Sequence, residues 1–298
     1  MIYLLLTIFL NALLIVAFKV FDKFRIDNLQ AIVVNYWVCV ITGCIFIGEV
    51  PFNKENLSQP WFPWSVLMGI GFVSIFNLIA YSTKKDGITI TSIANKLSLV
   101  IPVAFAIWLY DDKMTVMKIA GILLAFPAVY LSTKPNGAIG TNRVNPWIAI
   151  LLFFASGLLD TLVNFVAVHF FNTHFELTDN RNQSLFLIHT FGMAGVVGTL
   201  VIGSLWLIKG KAVKGMNIIA GICLGVPNYF SLYCFVKLLQ SGFLPGSAAI
   251  PINNIGVVLS ASLMAILFFK ERTSMIRLIG MSLSIISILL ILLSEIHA

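Results

Sequence analysis

Two residues, Lys96 and Asp160, carry a formal charge well inside long apolar runs. A charge at mid-membrane costs about 2.5–3.5 kcal/mol on insertion scales, so such a side chain faces a cavity or a partner. Lys96 would suit a carboxylate or phosphate, and Asp160 an ammonium group or a proton. The plainer alternatives are a lysine that snorkels to the nearer interface and an aspartate that caps neighbouring amides. Neither charge stands alone. Ser156, Asp160 and Asn164 recur at i, i+4 and i+8, a single polar stripe on one helix face. Ser92, Asn95, Lys96 and Pro102 share a broad face of another run, and Pro102 withholds an N–H from the turn before it. A third run holds Ser247, Pro251, Asn253 and Asn254. Asn77 with Tyr81, and Tyr229 with Tyr233 beside Asn228, add further polar pairs, and Asn11 interrupts the first run. Any one pair serves equally well as glue between helices.

The expected ligand is a small molecule held by Lys96, Asp160, Asn95, Asn77, Tyr81, Asn164, Asn228, Tyr229, Asn253, Asn254 and Asn11. An amino acid would satisfy both charges and ranks first. Sugars, nucleotide-type compounds and other organic anions are the alternatives. Catalysis is not expected: His-Glu-x-x-His, Gly-x-Gly-Asp and Gly-x-Ser-x-Gly are all missing from the sequence. An intramembrane enzyme is therefore the rival from another class. No metal or cofactor is expected either, because His189, His169 and the four cysteines show no ligand spacing. With no ATP-binding motif, movement of a solute would draw on a gradient, with Asp160 as the place for a coupling proton.

The elements that position these residues follow from composition. Hydrophobic residues form 59% of the chain and charged ones 10%, against about 45–50% and 25% in soluble domains. Only lipid can accommodate that apolar surface. A span needs about 20 apolar residues, which predicts ten helices over 2–21, 29–48, 61–82, 90–110, 116–133, 146–172, 183–209, 216–238, 247–269 and 275–294. Continuous helices satisfy their own amides in hydrocarbon. The basic residues lie at the ends of apolar runs, so the net charge of +7 reads as contact with the lipid bilayer and not with nucleic acid. Gly221 with Gly225, and Gly192, Gly195 and Gly198, are expected to permit close helix contact.

One stretch occurs twice. At a displacement of 159 positions Gly87 meets Gly246, Asp112 meets Glu271, Lys113 meets Arg272, Thr115 meets Ser274 and Gly121 meets Gly280. The longest polar connection, around 134–143, divides the chain into 1–134 and 146–298. Two halves of five spans each must enter the membrane in opposite senses, because five is odd. The expected fold class is thus an all-α integral membrane protein, ten transmembrane helices in two inverted five-helix repeats. Such inverted repeats build many secondary transporters, with the binding site near the midplane.

A Pro-bearing helix, an acidic-basic-Thr turn (Asp112, Lys113, Thr115) and Gly121 in the next helix resemble the EamA type of the drug/metabolite transporter superfamily. Phe18-Lys19 closing the first span is similar to that family as well. Asn11-Ala12 stands where a Trp-Gly pair is usual, and Asp112 where Glu is usual. The resemblance implies ten helices around a central cavity lined mainly by spans 1, 3, 4, 6, 8 and 9, in a cell (inner) membrane, with both termini in the cytoplasm. Charge gives the opposite orientation. Thirteen Lys and Arg residues, among them Lys209, Lys211 and Lys214, fall on one side. Lys54, Lys113, Lys118, Arg181 and Lys237 fall on the other, and the positive-inside rule puts the richer side in the cytoplasm.

Overall fold

The computed structural model describes residues 1–298 apart from 87–90, 92, 93, 96, 111–113, 134–145, 172–179, 211, 270–273 and 297–298. Gly87, Asp112, Lys113, Glu271 and Arg272 of the duplicated stretch, and the 134–143 connection, lie outside the described residues. The helices are α1 (Ile2–Lys23), α2 (Asn28–Ile47), the single turn α3 (Lys54–Leu57), α4 (Phe62–Asp86), α5 (Val100–Tyr110), α6 (Val116–Thr133), α7 (Pro146–Phe171), α8 (Asn180–Lys209), α9 (Gly215–Gln240), α10 (Gly246–Phe269) and α11 (Met275–Ile296). No strand occurs among the described residues.

Six of these helices are long and apolar enough to cross a membrane unaided, over Asn28–Ile47, Phe62–Ile79, Trp147–Phe171, Arg181–Ile208, Gly215–Gln240 and Gly246–Phe268. Shorter apolar stretches run over Ile2–Phe18, Val100–Leu109, Val116–Leu131 and Leu278–Ser294.

Local chemistry sets the ends of α2. The Asp27 carboxylate accepts the Gln30 N–H at 3.3 Å, satisfying a donor that the first turn leaves unpaired. At the other end Gly48 adopts φ 76° and returns its N–H to the Cys44 carbonyl, a left-handed cap that glycine takes without steric penalty. The run expected as one continuous helix over 90–110 is interrupted. Ser98 and Leu99 form a turn, and α5 begins only at Val100. Pro102 accounts for this: it has no N–H for the Ser98 carbonyl, which accepts from Ile101 instead at 3.0 Å.

Helices of one half pack chiefly on helices of the other. α2 lies against α9 and α8; α4 against α8 and α7; α1 against α9 and α10; α5 against α7 and α10; α6 against α11. Lipid supplies no hydrophobic drive for these contacts, so close approach matters most. Gly221 and Gly225 bring α9 directly onto α2, where a Cβ would meet Ala31 and Val38. Gly195 and Gly198 do the same for α8, against Trp37 and Val33. Gly192 differs: its nearest neighbour would lie 3.8 Å from a Cβ, which is ordinary contact. Between α6 and α11, Ser287 donates to the Gly121 carbonyl at 2.6 Å.

Candidate functional site

A cavity of about 300 Å³ lies among the helices, at the lower end of the range for small-molecule sites. Asp160 of α7 contributes a carboxylate to its wall, and Asn11 of α1, Asn95, Asn228 of α9, and Asn253 and Asn254 of α10 contribute carboxamides. The wall between them is aromatic: Phe18, Phe72, Phe76, Phe191 and Phe235. Phe18 of α1 and Phe76 of α4 approach to 5.6 Å between ring centres. A carboxylate among amides and rings can hold a small polar molecule by hydrogen bonds and its apolar parts by contact.

Helix phase decides which polar stripe reaches the cavity. On α9 the lining residues are Leu224, Asn228, Ser231, Leu232 and Phe235, spaced at three and four. Tyr229 is one step round the helix, fully buried, with its ring 6.4 Å from that of Phe191 and tilted 47° to it. It is not among the lining residues. On α4 the lining pair is Phe72 and Phe76; Asn77 instead donates to the Val73 carbonyl at 2.8 Å. Tyr81 follows Asn77's stripe and is 53% exposed. Asn164 is buried beside Gly246, and its Oδ1 has no hydrogen-bond partner. Lys96 lies outside the described residues.

Other lining residues were not anticipated. Ile32, Asn35 and Tyr36 come from α2 and Phe191 from α8, so the second and seventh spans join the wall. The Asn228 amide donates to Asn35 Oδ1 at 3.2 Å, tying α9 to α2 at the cavity edge. A lone Asn in an apolar run was the available signal for Asn35. Two lysines assigned to interfaces are buried. Lys118 is 1% exposed and donates to Ser247 Oγ at 3.2 Å, joining α6 to α10. Lys237 is 5% exposed with its ammonium 6.0 Å from the Tyr233 ring, within cation–π reach. His189 packs its ring against Phe52, Trp61 and Phe62, and its Nδ1 lies 2.7 Å from the Leu185 carbonyl. Among the described residues no cluster of His, Cys, Asp or Glu could hold a metal ion.

Long apolar helices enclosing a polar chamber define a class: an integral, multi-pass membrane protein with an internal solute-sized site. Residues 1–134 match the model of the EamA-like transporter family. An uncharacterized protein of Haemophilus influenzae (strain ATCC 51907 / DSM 11121 / KW20 / Rd) is 26% identical over 283 residues, covering 92% of this chain and 91% of that protein. One solved crystal structure superposes with a TM-score of 0.75 at 14% identity, over 98% of this chain and 96% of that one. That likeness establishes a shared fold along nearly the whole length.

Proposed function

We propose that this protein is a secondary-active transporter that moves a small metabolite by alternating access, with an amino acid or related compound as the first choice. The observation that carries this is the cavity, where the Asp160 carboxylate lies among carboxamides inside an apolar membrane protein. A charge inside a membrane-spanning helix is costly unless it serves a pathway or a ligand. Transport needs opposed halves, and the packing favours ten spans in two inverted repeats, 1–134 and 146–298. Exchanging the halves turns the α2–α9 contact into α8–α4, α1–α9 into α7–α4 and α1–α10 into α7–α5. The same exchange returns α6–α11, α5–α10 and α2–α8 to themselves. The decisive experiment is a transport and thermal-shift screen of amino acids, amines, sugars, nucleosides and organic acids against the purified, reconstituted protein. Accumulation of at least one class, collapsing with the gradient, is expected. No movement of any compound would refute the reading.

The proposed location is the cell's inner membrane, with the Lys209–Lys214 connection in the cytoplasm. Burial strengthens the charge bias: Lys118 and Lys237 on the poorer side are enclosed, and Arg181 is paired with Glu49 at 2.6 Å. Few free positive charges then remain on that side to hold it in the cytoplasm. In a background lacking the four cysteines, Lys214→Cys should resist a membrane-impermeant maleimide on intact cells and react once they are permeabilised. Ready labelling of intact cells would put both termini inside instead.

A further inference from the structure

α2 and α8 run antiparallel and touch along their length. Val33 packs on Gly198, Trp37 on Gly195 and Ile188 on Gly43. Just beyond α2, Glu49 Oε1 meets Arg181 Nε at 2.6 Å. In the inverted-repeat arrangement proposed above, exchange of the halves returns this contact to itself, so its two ends are counterparts. They are not alike. All ten residues of α8 over 183–192 are buried, against six of the first ten of α2 over 28–37. A helix buried on every side lies in the interior. The connection after α2 completes that enclosure: Phe52 and Trp61 set their rings 5.3 and 5.4 Å from His189, and Trp61 reaches Phe186 at 6.0 Å. The opposite end of α8 is open. Gly203 has nothing within 4 Å of a Cβ, and Gln30 of α2 turns instead to α9, accepting from Asn217 Nδ2 at 2.6 Å.

The cavity lies on the open side of this crossing. α1 lines it from its second half (Asn11, Leu14, Phe18) and α2 from its first (Ile32, Asn35, Tyr36). Both stretches adjoin the connection between Lys23 and Asn28. The α2–α8 contact also differs in kind from its neighbours. Where α9 crosses α2, a Cβ on Gly225 would lie 3.1 Å from the Asn35 carbonyl oxygen, and where α4 crosses α8, one on Gly69 would lie 2.6 Å from that of Thr190. Those crossings bring backbone to backbone. At Gly43, Gly192, Gly195 and Gly198 the nearest atoms are all side-chain atoms. Side chains change rotamer and backbone does not, so α2 can rock on α8 while each stays fixed to its own partner.

We propose that this structure is closed on the side of residues 48–62, and that the Glu49–Arg181 pair is the latch of that gate, with Phe52 and Trp61 as its apolar cover on α8. While the latch holds α2 to α8, the cavity serves the side of the Lys209–Lys214 connection. This rests on the transporter reading above and deepens it, because it names the contact that must break for the cavity to face the other way. The two side chains are partly exposed, 49% for Arg181 and 39% for Glu49. A pair in that setting adds little to stability, which suits a contact made and broken in every cycle.

The test reads access to the cavity and needs no substrate. In the cysteine-free background, Leu232→Cys puts a thiol on the cavity wall. Its reaction with a membrane-impermeant maleimide is timed in intact cells and in inside-out vesicles, and Lys214→Cys in parallel samples identifies the faces. Leu232→Cys alone should react faster from the Lys214 face. Adding Glu49→Arg sets two cations together and should raise the rate from the Glu49 face, relative to the other, by about two- to fivefold. Combining Glu49→Arg with Arg181→Glu rebuilds the pair and should return the ratio to its starting value. Glu49→Gln should shift the ratio less and in the same sense, and it carries the test alone if Glu49→Arg fails to fold. A purely structural pair would change thermal unfolding and leave the ratio as it was. An unchanged ratio in the Glu49 variants, an exchange of charges that restores nothing, or faster reaction of Leu232→Cys from the Glu49 face would each overturn this proposal and leave the transporter reading intact. Failure of every compound in the wider screen would instead remove the transporter reading, and this proposal with it.

Discussion

Asp160→Asn is expected to lower transport by about two orders of magnitude while the protein still inserts and folds. The substitution keeps the shape of the side chain and part of its hydrogen bonding, and removes only the charge. Asp160 lines the cavity from α7, so that charge acts where a ligand or proton would be held. A charge-assisted hydrogen bond accounts for about 1.5–3 kcal/mol, and loss of a coupling proton site would add to this. Uptake into proteoliposomes together with thermal unfolding of the same sample separates the two effects. Transport at the wild-type rate would end the case for Asp160 in the pathway, and a collapse of folding would assign it to structure.

Much of the helix content was legible in the sequence because membrane insertion imposes it. Every long apolar run had to satisfy its amides internally; the caps at Asp27 and Gly48 that bound α2 come from the structure. The break at Ser98–Leu99 departs from the continuous helix expected over 90–110, although its cause, Pro102, was in view. What hydropathy cannot supply is helix rotation. Asn228 and Tyr229 are neighbours in sequence but about 100° apart around a helix, so the two need not face the same cavity. Sequence alone gave both equal weight. Packing chose Asn228, because the Tyr229 ring is taken up by Phe191, Phe46 and Phe230.

Lys118 and Arg181 were illegible for a different reason. A lysine two residues into a span looks like an interfacial anchor, and only the arrival of α10, from the other half of the chain, turns it inward to Ser247. Arg181 opens its span as one more terminal charge. Its partner, Glu49, belongs to the other half of the chain. Contacts between halves are carried by this kind of long-range pairing, which no local pattern records.

Gly69→Val should prevent the protein from reaching its folded state, while Gly203→Ala should change stability by less than about 1 kcal/mol. Gly69 is where α4 crosses α8. A Cβ there would lie 2.6 Å from the Thr190 carbonyl oxygen, 2.7 Å from the Met193 Cβ and 3.0 Å from the Ala194 nitrogen. Two of those three atoms are backbone, so no rotamer change relieves the overlap and the helices must part. Separation would lose the dispersion contacts that hold the pair together without a hydrophobic drive. Overpacking typically costs 1–3 kcal/mol, and a branched residue against backbone lies at or beyond the top of that range. It would also carry Phe72 and Phe76 away from the cavity wall. Gly203 lies on α8 with nothing within 4 Å of a Cβ, so the same helix tolerates a methyl there. Detergent-resistant monodispersity and thermal unfolding of both variants make the comparison. A Gly69→Val protein as stable as Gly203→Ala would show that α4 and α8 do not meet along this line.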